Sequence, residues 1–289
     1  MQIGDIVARK SYNKDIAFKI LDLQETEKGI IYVLKGVNLR ILADSLIEDL
    51  EFVSKDDIGD IDKVFNRKIN TSINKVLVSR LNVNKKYRAP LFDKNINHRE
   101  VPFGRPGRVL QIDADSEYMN ACLKVYKQLS IEAIGYVIAE KDQSSSVVDL
   151  IKKVRPDIVV ITGHDGMIKR ANNYLDLANY KNSKYFVDTV AKIRTYQPNY
   201  DDLVIFAGAC QSCYEAILDA GANFASSPNR VLIHCLDPVF VCEKIAYTNF
   251  EKIVPIQDVL ENTITGLKGI GGLQTRGKYR EGFPRSQYA

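Results

Sequence analysis

Two reactive side chains follow two similar apolar runs in the middle of the chain. His164 comes directly after the run 158-IVVITG-163, and Cys210 comes directly after the run 203-LVIFAGA-209. Short runs of this kind, rich in β-branched residues, predict buried parallel strands. In an open α/β sheet, ligands bind outside the carboxyl ends of such strands. The two side chains are therefore expected to meet at one edge of a sheet, where a thiol nucleophile finds the imidazole base that it needs.

Small residues beside both side chains would let a substrate backbone approach closely. Gly208 precedes Cys210 by two positions, and Gly166 follows His164 by two positions. The backbone N–H of Cys210 could then donate to an oxyanion, and the N–H of Asp165 or Gly166 could complete the oxyanion hole. We also expect Cys210 to stand where a helix begins, because a helix N-terminus favours the thiolate.

The five cysteines and three histidines allow few other sites. An odd number of cysteines, with no apolar secretion segment at the N-terminus, predicts reduced thiols rather than a disulfide framework. Cys210 and Cys213 have CxxC spacing, which keeps a thiol redox pair open as an alternative. A second CxxC motif is absent from the sequence, so no metal and no cofactor are predicted. His98 falls in a polar segment and His234 within an apolar run, and we interpret neither as catalytic.

Composition excludes several classes of protein. The 289 residues are 45% hydrophobic and 26% charged, which is enough for a sizeable core, and the net charge is only +4. Without a dense basic face that alternates with aromatic residues, nucleic-acid binding is not predicted. No apolar run approaches the ~20 residues that span a bilayer, so no membrane partner is predicted. We expect a soluble, cytosolic protein, and the sequence does not predict its oligomeric state.

The sequence pattern changes twice along the chain. Residues 1–60 contain short alternating segments separated by turn residues, which indicate a small β-barrel similar to SH3-like or KOW-like modules. Residues 61–106 predict a helix over 61–81 and then an exposed, basic linker. Residues 107–289 alternate between strand and helix patterns. That alternation predicts an α/β domain with a mostly parallel, doubly wound sheet.

Several boundaries within the α/β region can be predicted. Ser116 is the expected N-cap of the helix that follows the first strand. The helix after the strand with Cys210 is expected to end near Gly221. A fifth strand is expected over 229–238, so that His234 would lie inside a strand and Asp237 would follow it.

The sequence around the two reactive residues resembles that of the caspase-like cysteine peptidases. Their signature is an apolar run that ends in His-Gly and, about 50 residues later, a second run that ends in Ala-Cys. Here 208-GACQS-212 follows His164 at that distance, but Asp165 separates His164 from a glycine, and Gly208 replaces the usual residue before Ala-Cys. The resemblance implies a caspase-like fold for residues 107–289 and a catalytic pair of Cys210 and His164.

A closer resemblance extends over the whole chain. The blocks GDIVARKSY, RPDIVVITGHDG, LVIFAGACQS, AGANFASSPNRV and GLKGIGGLQTRG resemble the YabG family of sporulation-specific proteases from endospore-forming bacteria. This resemblance implies a cysteine endopeptidase located in the mother cell cytoplasm or the spore coat. It further implies cleavage after arginine in spore coat and cortex-associated proteins, and the ability to process itself.

Cleavage after arginine requires a buried carboxylate that faces the guanidinium of the substrate. In the caspase-like fold the end of the first strand contributes to this S1 pocket, and here it carries Asp113 and Asp115. Asp237 is a further candidate, and Asp115 could equally lie at a helix N-terminus. Self-processing would need an exposed arginine in or near the linker. The candidates are Arg80, Arg88, Arg99, Arg105 and Arg108, where cleavage would separate the barrel from the catalytic domain.

Two other functions remain open from the residues alone. One is a non-enzymatic scaffold for spore coat assembly, in which the barrel binds partner proteins. The other is a thiol redox protein that uses Cys210 and Cys213.

Overall fold

A computed structural model describes most of the chain. The described residues are 1–27, 29–53, 66–80, 103–168, 172–284 and 286. Most of the predicted linker, with His98, Arg88 and Arg99, lies outside the described residues.

The N-terminal region forms a five-stranded antiparallel sheet. Its strands are β1 (Ile6–Arg9), β2 (Phe18–Thr26), β3 (Gly29–Gly36), β4 (Leu42–Leu46) and β5 (Leu50–Phe52). They lie in the order β4-β3-β2-β1-β5. Alternate residues of β2 and β3, such as Phe18, Ile20 and Leu34, point into a small core, as expected for strands that are buried on one face. The likeness of this sheet to SH3-like modules stays a prediction.

A helix, α1, covers residues 66–80, within the range predicted from the sequence. Its apolar side chains Ile73 and Val76 are buried in the core of the larger sheet. The helix therefore packs with the α/β part of the chain.

The α/β part contains a six-stranded, mostly parallel sheet. Its strands are β7 (Val109–Asp113), β8 (Ala133–Val137), β9 (Ile158–Thr162), β10 (Val204–Ala207), β11 (Phe224–Ser226) and β13 (Ile270–Gly272). They lie in the order β13-β11-β10-β9-β7-β8, and β13 alone is antiparallel to its neighbour in this sheet. Four short strands form two separate pairs, β6 (Phe103–Arg105) with β15 (Arg280–Gly282) and β12 (Ile253–Val254) with β14 (Thr275–Arg276).

Helices cover both faces of this sheet. They are α2 (Ser116–Gln128), α3 (Glu140–Val154), α4 (Ser183–Tyr196), α5 (Tyr214–Asp219), α6 (Asp237–Tyr247) and α7 (Ile256–Leu260). Residues of β9 alternate between the two cores, since Val160 packs with α2 and α6, whereas Val159 and Ile161 pack with α3 and α4. The prediction of a mostly parallel α/β sheet is confirmed. Among the described residues, no helix is both long and apolar enough to cross a bilayer.

Two predictions about element boundaries were wrong. The strand next to β10 is β11, not residues 229–238, and Asp237 is the first residue of α6. Residues 233–235 are buried and cover Cys210, and the β pairing of His234 within the described residues is an isolated bridge with Leu39. The N-cap of α2 is Asp115 rather than Ser116, because its carboxylate accepts the N–H groups of the first helical turn.

Candidate active site

His164 and Cys210 lie beyond the carboxyl ends of neighbouring parallel strands. The register of β9 and β10 pairs Ile161 with Ala207, and the N–H of Gly208 donates to the carbonyl of Ile161 at 3.0 Å. His164 and Cys210 each follow the paired residue by three positions (161 to 164 and 207 to 210). The structure therefore places both side chains at the carboxyl edge of the sheet, as the sequence predicted.

Gly208 turns the chain from β10 towards Cys210. Its φ of +110° is in the region that favours glycine, and a Cβ there would lie 3.2 Å from Ile217 and Ser226 atoms. The expected helix does not begin at Cys210, because α5 starts at Tyr214 and has only six residues. Cys210 therefore lies four residues before the first residue of α5.

Glu140, at the start of α3, fixes the position of His164. Its carboxylate accepts the backbone N–H of His164 at 2.7 Å and lies 3.7 Å from the ring atom Nδ1. The close approach depends on Gly163, since a Cβ at that position would lie 2.5 Å from Glu140 Oε1. Burial alone would raise the pKa of Glu140, but hydrogen bonds from His164 lower it overall. No local sequence pattern indicates this partner, because Glu140 lies on another element.

The other ring nitrogen of His164 faces a different carboxylate. Nε2 is buried and makes no hydrogen bond within the described part of the chain, and Asp115 Oδ2 lies 3.6 Å away. The ring of Tyr118 packs beside the imidazole, with 5.8 Å between ring centroids. The imidazole therefore lies between two carboxylates, with Glu140 at Nδ1 and Asp115 at Nε2.

Cys210 is completely buried, with 0% of its surface exposed. Its sulfur accepts the N–H of Ile233 at 3.1 Å and lies 3.7 Å from the carbonyl of Ile233. Burial raises the pKa of the Cys210 thiol to about 12, although the Ile233 N–H and the charge of Arg40 act in the opposite direction. In this conformation the thiol is protonated and shielded from solvent.

The Asp165 carboxylate joins the loop of His164 to the loop of Cys210. It accepts the hydroxyls of Ser183 and Ser212 and the backbone N–H groups of Gly166 and Asn182. Ser212 in turn accepts the N–H of Ala209, directly before Cys210. Burial raises the pKa of Asp165, and the hydrogen bonds oppose that rise. The sequence pattern predicted a possible function only for the backbone N–H of Asp165 and did not indicate these contacts of its side chain.

The predicted oxyanion donors differ in availability. The N–H of Gly166 donates to Asp165 Oδ1 at 2.8 Å and is therefore engaged. The N–H groups of Cys210 and Asp165 have no acceptor among the described residues. These two remain the candidates for binding an oxyanion.

The three candidate S1 carboxylates have different partners. Asp113 is fully buried and pairs with Arg40 at 2.7 Å. Asp237 is also fully buried and accepts hydrogen bonds from His234, Ile264 and Thr265. Asp115 is the one beside His164, and its side chain is 10% exposed. Of the three, Asp115 is therefore the carboxylate that a substrate could reach.

The N-terminal sheet contributes two cations to this region. Arg40, between β3 and β4, has no exposed surface; burial acts to lower its pKa, but Asp113, Cys122 and Cys235 together raise it. Lys35, on β3, contacts Asp115 at 3.0 Å and also binds Glu117. Neither residue could be predicted as part of the site, since nothing in residues 1–60 indicates which surface of the α/β part they contact.

The remaining candidates lie apart from the pair. All five cysteines are free, and Cys213 Sγ lies 3.8 Å from the carbonyl of Tyr174, whereas Cys210 Sγ contacts Ile233. In the part of the chain that the structure describes, no group of three or more His, Cys, Asp or Glu side chains could hold a metal ion. Arg80 is bound to Glu243, while Arg105 is exposed on β6.

The fold and the site define an α/β protein whose reactive residues lie at the carboxyl edge of a mostly parallel sheet. The sequence pattern of the YabG peptidase U57 family matches residues 2–284. The sporulation-specific protease YabG of Bacillus subtilis (strain 168) is 44% identical over 286 residues, which cover 98% of each chain. The chain belongs to the YabG peptidase U57 family and is therefore a peptidase.

Proposed function

We propose that the chain is a cysteine endopeptidase with Cys210 as the nucleophile and His164 as the general base. The observation that carries this proposal is the equivalent placement of the two residues beyond paired positions of β9 and β10. The strand order, with an antiparallel β13 at one edge, supports a caspase-like fold for residues 107–289. The antiparallel N-terminal sheet supports a separate module over residues 1–60.

In the proposed reaction, His164 takes the proton of the Cys210 thiol as the thiolate attacks the scissile carbonyl. The backbone N–H groups of Cys210 and Asp165 stabilise the oxyanion of the tetrahedral intermediate. His164 then protonates the leaving amine, and a thioester forms at Cys210. A water molecule, deprotonated by His164, hydrolyses the thioester and regenerates the thiol. Glu140 orients the imidazole throughout through its contacts with the His164 backbone and ring.

We further propose that the enzyme cleaves after arginine, with Asp115 as the S1 carboxylate. A carboxylate and a guanidinium form paired, charge-assisted hydrogen bonds, which favours arginine at this position. Spore coat and cortex-associated proteins are the proposed substrates, and the mother cell cytoplasm or the spore coat is the proposed location. Self-processing is proposed at an arginine of the linker region, where Arg105 is exposed.

A peptide library tests the nucleophile and the specificity together. Wild type, Cys210→Ala and Cys213→Ser are incubated with the library, and mass spectrometry identifies the residue before each cleaved bond. We expect cleavage after arginine by the wild type and Cys213→Ser, and none by Cys210→Ala. Undiminished cleavage by Cys210→Ala would refute the proposal. Equal loss in both variants would favour redox chemistry, and binding of coat proteins without any cleavage would favour a scaffold.

A further inference from the structure

Lys35 is a buried cation that the N-terminal sheet inserts into the α/β part of the chain. It lies near the end of β3, and only 6% of its side chain is exposed. Its ammonium lies 3.0 Å from Asp115 Oδ2 and also binds the carboxylate of Glu117. A lysine is seldom buried unless it is paired, so these carboxylates are what makes this position possible.

The same oxygen of Asp115 faces the candidate base. Asp115 Oδ2 lies 3.6 Å from His164 Nε2, so the lysine and the imidazole share one carboxylate oxygen. The other oxygen, Oδ1, accepts the N–H groups of Glu117 and Tyr118 at the start of α2. Lys35 Nζ also lies 3.3 Å from Oδ1, so the lysine contacts both oxygens of Asp115, and Oδ2 is the one that also faces His164.

The N-terminal sheet also holds the segment that covers Cys210. The N–H of Arg40 donates to the carbonyl of Ile233 at 3.3 Å, and the N–H of Cys235 donates to the carbonyl of Asn38 at 3.1 Å. Ile233 is the residue whose N–H contacts the Cys210 sulfur. Residues 35–40, at the end of β3 and directly after it, thus contact Asp115 beside His164 and Ile233 beside Cys210.

We propose that Lys35 is an internal ligand of the cation-binding site at Asp115, and that a basic substrate side chain must displace it. Lys35 has the positive charge and the long aliphatic stem of a basic substrate residue, and it occupies the carboxylate nearest the base. The N-terminal sheet then acts as a built-in competitor that keeps Cys210 covered. This inference rests on the proposed function, because it assumes that Asp115 binds the substrate residue before the cleaved bond.

Competition has a defined kinetic consequence. When a site is free for only a fraction of the time, the apparent Kd of its ligand equals the Kd for the free site divided by that fraction. If Lys35 fills the site about nine-tenths of the time, an external cation binds about tenfold more weakly than to the free site. Removal of the Lys35 charge should therefore tighten binding and lower KM by about tenfold, with kcat unchanged, because a saturating substrate displaces the lysine in any case.

Binding can be measured without any catalysis. The full-length Cys210→Ala protein is titrated with n-butylguanidinium, a mimic of the arginine side chain, and NMR chemical shifts give the Kd. The titration is repeated with Lys35→Gln and with Lys35→Ala in the same background. The matched control is Lys14→Gln, which removes the same charge from an exposed pair with Glu51 in the N-terminal sheet. Thermal melting confirms that each variant is folded.

We expect a Kd about tenfold lower for both Lys35 variants and an unchanged Kd for Lys14→Gln. Equal Kd values in all four proteins would overturn the proposal and leave Lys35 as a contact that only holds the N-terminal sheet in place.

Hydrolysis of an arginyl peptide by Lys35→Gln, with Cys210 intact, separates the two proposals. A lower KM than wild type, lost activity in Cys210→Ala and a lower Kd support both of them. A lower Kd with cleavage that does not need Cys210 would refute the proposed function and leave the internal ligand standing. Cleavage that depends on Cys210, with KM and Kd both unaffected by Lys35→Gln, would refute the internal ligand alone.

Discussion

Substitution of Arg40 tests how firmly the N-terminal sheet is attached to the α/β part. Arg40 and Asp113 are both fully buried, and their charged groups are 2.7 Å apart. Arg40→Met keeps much of the side-chain volume but leaves Asp113 as an unpaired buried charge. Loss of one partner of such a pair costs about 3–5 kcal/mol of the free energy of unfolding. We expect a decrease of this size, because Arg40 and Asp113 are both at 0% exposure and the remaining carboxylate would stay away from bulk water.

The double variant Arg40→Met/Asp113→Asn distinguishes charge from packing. When both charges are removed, no buried charge is left without a partner, so the free energy of unfolding should return to within about 2 kcal/mol of the wild type. The N–H of Asp115, 3.0 Å from Asp113 Oδ1, can still donate to the oxygen of the introduced amide, and the hydroxyl of Thr162, 2.9 Å from Oδ2, can accept from its NH2 group.

Equilibrium unfolding in denaturant, in a Cys210→Ala background that prevents self-cleavage, measures these differences. The control is Lys75→Met, which breaks an exposed ion pair of similar length, 2.6 Å, with Glu261 and should cost less than about 1 kcal/mol of the free energy of unfolding. A cost for Arg40→Met no larger than that of the control would refute the view that a buried ion pair attaches the N-terminal sheet. So would a double variant that is less stable than Arg40→Met alone.

Three further predictions concern single side chains. Asp165→Ala removes the acceptor of four hydrogen bonds, which are donated by Gly166, Asn182, Ser183 and Ser212. We expect the free energy of unfolding in denaturant to fall by about 3–4 kcal/mol, and by less for Asp165→Asn. Equal losses would contradict the assigned hydrogen bonds. Glu140→Gln should lower kcat for an arginyl peptide about tenfold with little change in KM, because it weakens the orientation of His164; an unchanged kcat would rule out this function. Burial lowers the pKa of His234 to about 3. Between about pH 6.5 and 3 the imidazole is therefore neutral in the folded chain and protonated in the unfolded chain. Stability should therefore fall between pH 6.5 and 3 by up to about 1.4 kcal/mol per pH unit, and His234→Asn should flatten this dependence; parallel pH curves for the two proteins would show that His234 does not contribute.

The central strands and the positions of His164 and Cys210 could be predicted from the sequence. Each run is apolar on both faces of a parallel strand and stops at a small residue, which is a local signal. The prediction of a strand over 229–238 was wrong, because an apolar run can also be buried without pairing in a sheet. Residues 233–235 of this range are buried against Cys210 and the N-terminal region, and β11 at Phe224–Ser226 is too short to give a clear signal of its own.

The partners of the two reactive residues could not be predicted. Glu140 reaches His164 from the next helix, and Lys35 and Arg40 reach the site from the N-terminal sheet. Such contacts depend on how separate elements pack together, which no local pattern encodes. Asp115 shows the same limit, since its sequence context fits a helix N-cap and a substrate carboxylate equally well, and in the structure it caps α2 beside His164.

Covalent labelling by an arginyl acyloxymethyl ketone tests the central claim most directly. The reagent carries arginine next to an electrophile that a catalytic thiolate attacks, and peptide mass spectrometry locates the adduct. The proposed mechanism predicts one adduct, on Cys210, that is lost when His164 is replaced by alanine and kept in Cys213→Ser. An adduct on Cys213 instead, or peptide cleavage that continues after complete labelling of Cys210, would contradict it.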